Sequence, residues 1–353
     1  MNTLSQTIEK ITACDAGMRA RARARLEALT MPHWALGRLM DLAEDLAGMT
    51  GSLNPPVARK TIVTMAGDHG VVAEGISAFP QEVTPQMVHN IVAGGAGVNA
   101  LARQVGAQVV VVDMGVAADL GDLAASGKII SKRIAAGTRN MEKGAAMSRD
   151  EAVRAIEAGI DIALLLGPSV DVFGTGEMGI GNTTPSSAIV SVLSGCAAAE
   201  VTGRGTGLND AQMEHKIRII EKSIAVNQPD CRDGLDVLAK IGGFEIGGIA
   251  GLILGAASLH KPVVVDGFIS TAGALIAHAL APASAGYMIA AHRSVEKGHR
   301  VALDILGKKA LIDLDLRLGE GTGAALAMNF VDAAVRILTE VATFEEAMVS
   351  QST

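Results

Sequence analysis

At 353 residues the chain has room for one large domain or two modest ones, and size does not limit its core. The hydrophobic fraction is 49% but the aromatic fraction only 2%, so Ala, Val, Ile, Leu and Met must pack around 41 glycines, and stacking platforms for single-stranded nucleic acid are scarce. A net charge of −7, with Arg19 to Arg25 as the only basic cluster, excludes a general polyanion-binding surface and leaves small anions to backbone N–H groups.

The N-terminal stretch Met1 to Arg25 lacks the apolar core of an export signal. Cys14, Cys196 and Cys231 are odd in number and far apart, which fits neither a disulfide framework nor a Cys-x-x-Cys metal site. A cytoplasmic protein is the expectation. Helical spacing is visible in Ala20 to Leu29 and again from Trp34, until Asn54-Pro55-Pro56 ends it. We expect residues 1–58 to form a small helical domain together with the amphipathic C-terminal segment 325–353, apart from a large α/β domain spanning 59–324.

From Lys60 onward, short apolar runs end in glycine or acid. Candidate strands are Thr61–Ala66, Val109–Asp113, Ile162–Leu166, Val170–Phe173, Pro262–Asp266 and Lys309–Leu314. β-Branched runs separated by helical segments predict a three-layer αβα fold with a mostly parallel sheet of about six strands. The strand ends carry Asp68, Asp113, Glu177, Asp266 and Glu320, where open α/β sheets bind ligands. Two stretches without Lys, Arg, Asp or Glu, Ile246–Leu259 and Gly267–Ala291, are respectively too short for a membrane span and interrupted by His278 and Pro282, so both are expected to be buried.

Several motifs could carry chemistry. Gly174-Thr-Gly-Glu-Met-Gly179 formally matches a dinucleotide fingerprint but continues as Ile180-Gly-Asn-Thr-Thr-Pro185, where a Rossmann helix should already run. It reads either as a loop of backbone donors for a phosphate, leading to a helix start near Thr184, or as a plain turn. Gly203-Arg-Gly-Thr-Gly207 is followed by Lys216, which is either a phosphate partner or a solvated helix lysine. No Gly-x-x-x-x-Gly-Lys-Ser/Thr sequence occurs, which disfavours a P-loop NTPase. Asp68-His69 admits a metal pair, an acid–base pair or a structural histidine, and no His-x-x-x-His spacing supports the first. In Ser294-Val-Glu-Lys297 the Ser-x-x-Lys nucleophile pattern lacks its companion motifs, leaving Ser294 as a phosphate ligand. Glu245, within Gly242–Gly248, either caps a helix or meets a ribose hydroxyl. Finally, Leu314 to Leu318 alternates like a strand and breaks into Gly319-Glu320-Gly321, whose carboxylate either begins the next helix or sits exposed to a ligand at a strand-loop-helix junction.

Together, Ala66-Gly-Asp-His-Gly-Val71, Ser77–Thr84, Gly176–Thr183, Gly242–Gly248, Asp266–Ser270 and Arg317–Ala324 resemble, in order, the nicotinate-nucleotide:dimethylbenzimidazole phosphoribosyltransferase family. The resemblance runs from about residue 30 to 340. It implies phosphoribosyl transfer from nicotinate mononucleotide to 5,6-dimethylbenzimidazole in cobalamin lower-ligand assembly, with no cofactor or metal, by a homodimer. By motif it assigns the general base to Glu320 and the nucleotide contacts to Glu177, Gly179, Gly181 and Asn182. The phosphate falls to Gly205, Lys216 and Ser294, the ribose to Glu245, and the benzimidazole pocket to Ser77, Gln86 and Leu318. Two rivals are the same chemistry with another lower-ligand base, and a noncatalytic nucleotide-binding protein.

Overall fold

The computed structural model describes residues 3–205 and 207–350. In chain order, helices α1 (Thr3–Lys10), α2 (Ala16–Glu27) and α3 (Arg38–Thr50) lead to strand β1 (Lys60–Gly67). Helices α4 (Val83–Val92) and α5 (Gly97–Gln104) precede β2 (Gln108–Gly115), and the short α6 (Gly121–Ala125) precedes β3 (Ile130–Ser131). Helix α7 (Arg149–Leu166) feeds β4 (Val172–Met178), and α8 (Thr183–Ser194), α9 (Ala198–Val201), α10 (Asp210–Asn227), α11 (Gly234–Ile241) and α12 (Phe244–Ser258) intervene before β5 (Val263–Val265). The chain closes with α13 (Phe268–Leu280), β6 (Met288–Ala290), α14 (Lys297–Ile305) and α15 (Thr322–Glu340).

All six strands pair in parallel, in the order β3-β2-β1-β4-β5-β6. That is the doubly wound order, and its switch point lies between β1 and β4. Alternation along each strand fills both faces. Val63, Met65, Val112, Met114, Phe173 and Val265 share a core with α7, α8, α12 and α13. Ile62, Ala66, Val111, Val172 and Val264 point the other way, into a core with α2, α3, α5 and α15. Burial on both faces explains why these strands read as continuous apolar runs.

Small residues set the helix layer. A methyl group on Gly159 would lie 2.0 Å from the Gly248 carbonyl oxygen, and one on Gly251 would lie 1.9 Å from that of Ile156, so α7 and α12 touch backbone to backbone. Three arginines of the Arg19–Arg25 cluster are engaged within the fold. Arg19 and Arg23 pair with Glu44 on α3, and Arg25 donates to the Leu338 carbonyl at the end of α15. Among the described residues no helix is long and apolar enough to cross a membrane.

Two expected strands are absent. Ile162–Leu166 is the last turn of α7, a helix begun by a capping box between Ser148 and Glu151, and Leu165 is 63% exposed. A five-residue apolar run does not by itself separate a strand from a helix end. Lys309–Leu314 makes only an isolated bridge, Ile312 to His292 beside the β6 edge, and then departs from the sheet, with Asp315 at φ +54°. The alternation of Leu314 to Leu318 has no neighbouring strand to pair with, and both end residues are exposed. In their place the sheet uses β3 and β6, two and three residues long, too short to show a period.

Candidate active site

The Gly174–Gly179 motif lies mostly in β4 itself and not in a loop. Its glycines serve approach: a methyl on Gly176 would fall 2.2 Å from the Glu320 carbonyl oxygen, and one on Gly174 would fall 2.9 Å from Met328 on α15. The centre of the sheet is thereby pressed against the entry to α15. Across this contact Thr64 on β1 donates its hydroxyl to the Glu320 carbonyl at 3.0 Å.

Gly319, Glu320 and Gly321 follow one another at φ +82°, +63° and +105°. A glutamate in the left-handed region costs about 1 kcal/mol, and its surroundings must hold it there. The neighbouring contacts do so. Asp266, just beyond β5, accepts from Gly321 N at 3.2 Å and Ala324 N at 2.9 Å, capping α15, while the Glu320 N–H donates to Glu177 Oε1 at 3.3 Å. The Glu320 side chain turns to another helix and accepts from Val98 N, in the first turn of α5, at 3.0 Å. Burial raises its pKa, opposed by the Val98 and Gly97 amides.

Three carboxylates, Glu177, Asp266 and Glu320, therefore line one wall of a cavity of about 700 Å³ at the carboxyl ends of the strands. Burial, reinforced by the charge of Asp266, pushes Glu177 up to about 8, although the Asn182 side-chain amide donates to it. Burial lifts Asp266 to about 7 against three backbone donors. Both shifts have the same cause, desolvation of charge among like charges.

The opposite end is cationic. Lys216 on α10 is 1% exposed, and its ammonium donates to Thr183 Oγ1 at 2.6 Å at the start of α8. Burial drives its pKa down to about 8, with Glu296 opposing. Gly205 and Ser294 line the same end. Ser294 is held by His299, whose Nδ1 accepts the Ser294 N–H at 2.8 Å while Nε2 faces the Thr271 hydroxyl at 2.9 Å. Burial holds His299 at about 3, so the ring is neutral, as an accepting Nδ1 requires. The rim between the two ends is apolar: Ile76, Phe79, Val83, Met87, Leu316 and Leu318.

Of the residues singled out from the sequence, Ser77, Glu177, Gly179, Gly181, Asn182, Gly205, Lys216, Ser294, Leu318 and Glu320 all line this cavity. Lys216 is not the solvated helix lysine its charged neighbours suggest. Two residues stand apart from the lining. Gln86 is exposed on α4, whose Val83 and Met87 face the cavity instead. Glu245 is fully buried behind the wall, with Oε1 2.9 Å from His69 Nε2, so it neither caps α12 nor reaches the opening. Burial, the largest single influence, lowers His69, but the charge and hydrogen bond of Glu245 together with the charge of Asp68 leave it raised on balance. Sequence reasoning assigned no role to Asp266, Thr183, Glu296 or the α5 amides. Asp266 carried a signal as a strand-end acid, and Gly94–Gly97 signalled a helix start, but neither showed what would meet it.

A family model described as phosphoribosyltransferase matches residues 11–349. The chain is 65% identical over 351 residues, 99% of each protein, to the nicotinate-nucleotide–dimethylbenzimidazole phosphoribosyltransferase of Syntrophotalea carbinolica. It is 60% identical, again over 99% of each, to the protein of that name from Desulfotalea psychrophila. Among solved structures, CobT from Thermus thermophilus superposes with a TM-score of 0.91 at 42% identity, covering 95% of this chain and 100% of that one.

Proposed function

The chain belongs to the phosphoribosyltransferase family of these relatives, and from that premise we propose that it moves the phosphoribosyl group of nicotinate mononucleotide onto 5,6-dimethylbenzimidazole, yielding α-ribazole 5′-phosphate and nicotinate. The observation that carries this reading is the buried Glu320, aimed into a cavity whose far end holds Lys216. One ring nitrogen of the base attacks C1′ with its lone pair as the C1′–pyridinium bond breaks. Those bonding electrons return to nicotinate as a neutral pyridine nitrogen, so the leaving group needs no acid. The other ring nitrogen gives its proton to Glu320, whose burial-raised pKa makes it a better acceptor than a solvated carboxylate. Attack opposite the leaving group inverts C1′.

In this reading Lys216, Gly205 and Ser294 take the phosphate. Glu177, Gly179, Gly181 and Asn182 face the nucleotide, and the carboxyl oxygens of Glu177 and Asp266 offer acceptors near charge developing on the sugar. Ser77 and Leu318, with the apolar side chains of the rim, receive the flat base. Gly97 supports that assignment: a methyl there would fall 2.7 Å from Leu318 and 3.3 Å from Glu320 Oε2, so its absence keeps the carboxylate approachable. A homodimer in a reducing cytoplasm belongs to the same proposal; the free state of Cys14, Cys196 and Cys231 supports the compartment, and light scattering checks the dimer.

Incubating the protein with nicotinate mononucleotide and a panel of benzimidazoles, phenols and adenine, and following nicotinate release, tests the reaction. Release with dimethylbenzimidazole is expected. Failure with every base would leave a binding protein.

A further inference from the structure

Glu296 lines the cationic end of the cavity, yet no step of the proposed reaction uses it. It is the N-cap residue of α14 but does not cap that helix. Its side chain instead reaches across to the Gly203–Gly205 turn, where Oε1 accepts the Gly205 N–H at 3.0 Å. The other oxygen, Oε2, is buried with no hydrogen-bond partner. Only glycine admits it: a methyl on Gly203 would fall 1.8 Å from Oε2. From the far side, a methyl on Gly205 would lie 3.4 Å from the Lys216 ammonium, and the Glu296 charge acts on that ammonium. Ser294 completes the arrangement, its hydroxyl oxygen accepting the Glu296 N–H at 3.3 Å.

A carboxylate thus sits among the donors to which the phosphate has been assigned, and it engages one of them. Phosphate and carboxylate oxygens want the same donors, and two anions packed together in a poorly solvated pocket repel each other. The unpartnered Oε2 keeps this seat shallow, since a buried acceptor without a donor is costly. We propose that Glu296 is a displaceable gate: it occupies the Gly205 N–H in the free protein, yields it to an incoming phosphate monoester, and so sets affinity and selectivity for the phosphorylated nucleotide. The proposal rests on the phosphoribosyltransferase reading for the identity of that ligand. Arrival of the phosphate transfers Gly205 N–H from one anion to another, and departure of the product phosphate is helped when the carboxylate returns.

The rival role is a bracket that holds the glycine turn in shape, and it predicts the opposite sign. Glu296→Gln keeps an acceptor for Gly205 while removing the charge. The gate requires kcat/KM for nicotinate mononucleotide, relative to that for the phosphate-free nicotinate riboside, to rise about tenfold, and the dissociation constant of inorganic phosphate measured by calorimetry to fall by a similar factor. Glu296→Ala, which removes bracket and charge together, is expected to move phosphate binding the same way. An unchanged or lowered ratio with weaker phosphate binding would overturn the gate. Absence of turnover by the native protein would sink the phosphoribosyltransferase reading, while the phosphate titration still decides the gate.

Discussion

The two ends of the cavity hold opposite charges by different means. At the acidic end, Asp266 and Glu320 are held by backbone amides of α15 and α5, positions settled by the main chain. At the cationic end the contacts run between side chains, Lys216 to Thr183, and from the Glu296 side chain to one glycine amide. Burial drives both ends toward neutrality, Glu177 up to about 8 and Lys216 down to about 8. At neutral pH Glu177 is therefore largely protonated, while Lys216 keeps most of its charge. A reacting end held by main-chain amides is rigid and an anchoring end held by side chains adjustable, which suits one fixed proton acceptor and a phosphate that must enter and leave.

The sharpest way to break this contrast is Glu320→Gln, expected to lower kcat by about 10²–10⁴-fold with the circular-dichroism spectrum and mononucleotide binding unchanged; near-native turnover would remove the acidic end from the chemistry. Next comes Lys216→Ala. Losing a charge-assisted contact should raise KM for the mononucleotide by about 10–100-fold and leave KM for the base far less affected, whereas equal changes would deny a separate anchoring end. Rigidity at the acidic end is tested by Gly176→Ala, whose methyl meets the Glu320 carbonyl. Thermal unfolding should show a loss of about 1–3 kcal/mol together with a drop in kcat, and a stable, fully active variant would show that this end yields as easily as the other.

The smallest effect is a pH slope. Because Glu177 holds its proton to about 8 in the native state but to about 4.5 when unfolded, its contribution to stability declines as pH rises across that window. Lys216 has the reverse order, about 8 native against 10.5 unfolded, so its burden is relieved only between pH 8 and 10.5. Glu177→Gln should therefore gain on the native protein by about 1 kcal/mol or more between pH 5 and pH 8, read from melting temperatures. A parallel pair of curves would mean that Glu177 is charged throughout.

Particular residues show what was legible in the chain. β1, β2 and β5 announced themselves because burial favours runs rich in Val, Ile and Met, whereas β4 (VFGTGEM) overlaps the expected strand only at Val172 and Phe173, its glycines reading as a loop; the ends of such strands are where carboxylates can meet a ligand. Thus Glu320, Glu177 and Lys216 could be named from local pattern and resemblance. Ile162–Leu166 and Lys309–Leu314 could not be placed, since an apolar run acquires its conformation from what packs or pairs beside it.

Local sequence pattern and resemblance were enough for the αβα class, the parallel sheet and ten of the residues that line the cavity. The partners of the site's carboxylates come from the assembled fold: Glu320 on the amides of α5, 222 positions away in the chain, Asp266 on α15, Glu245 withdrawn from the cavity against His69, and Glu296 seated on Gly205. The physical reason is that local patterns encode burial and backbone freedom, whereas hydrogen-bond partners and shifted pKa values arise between segments brought together by the sheet.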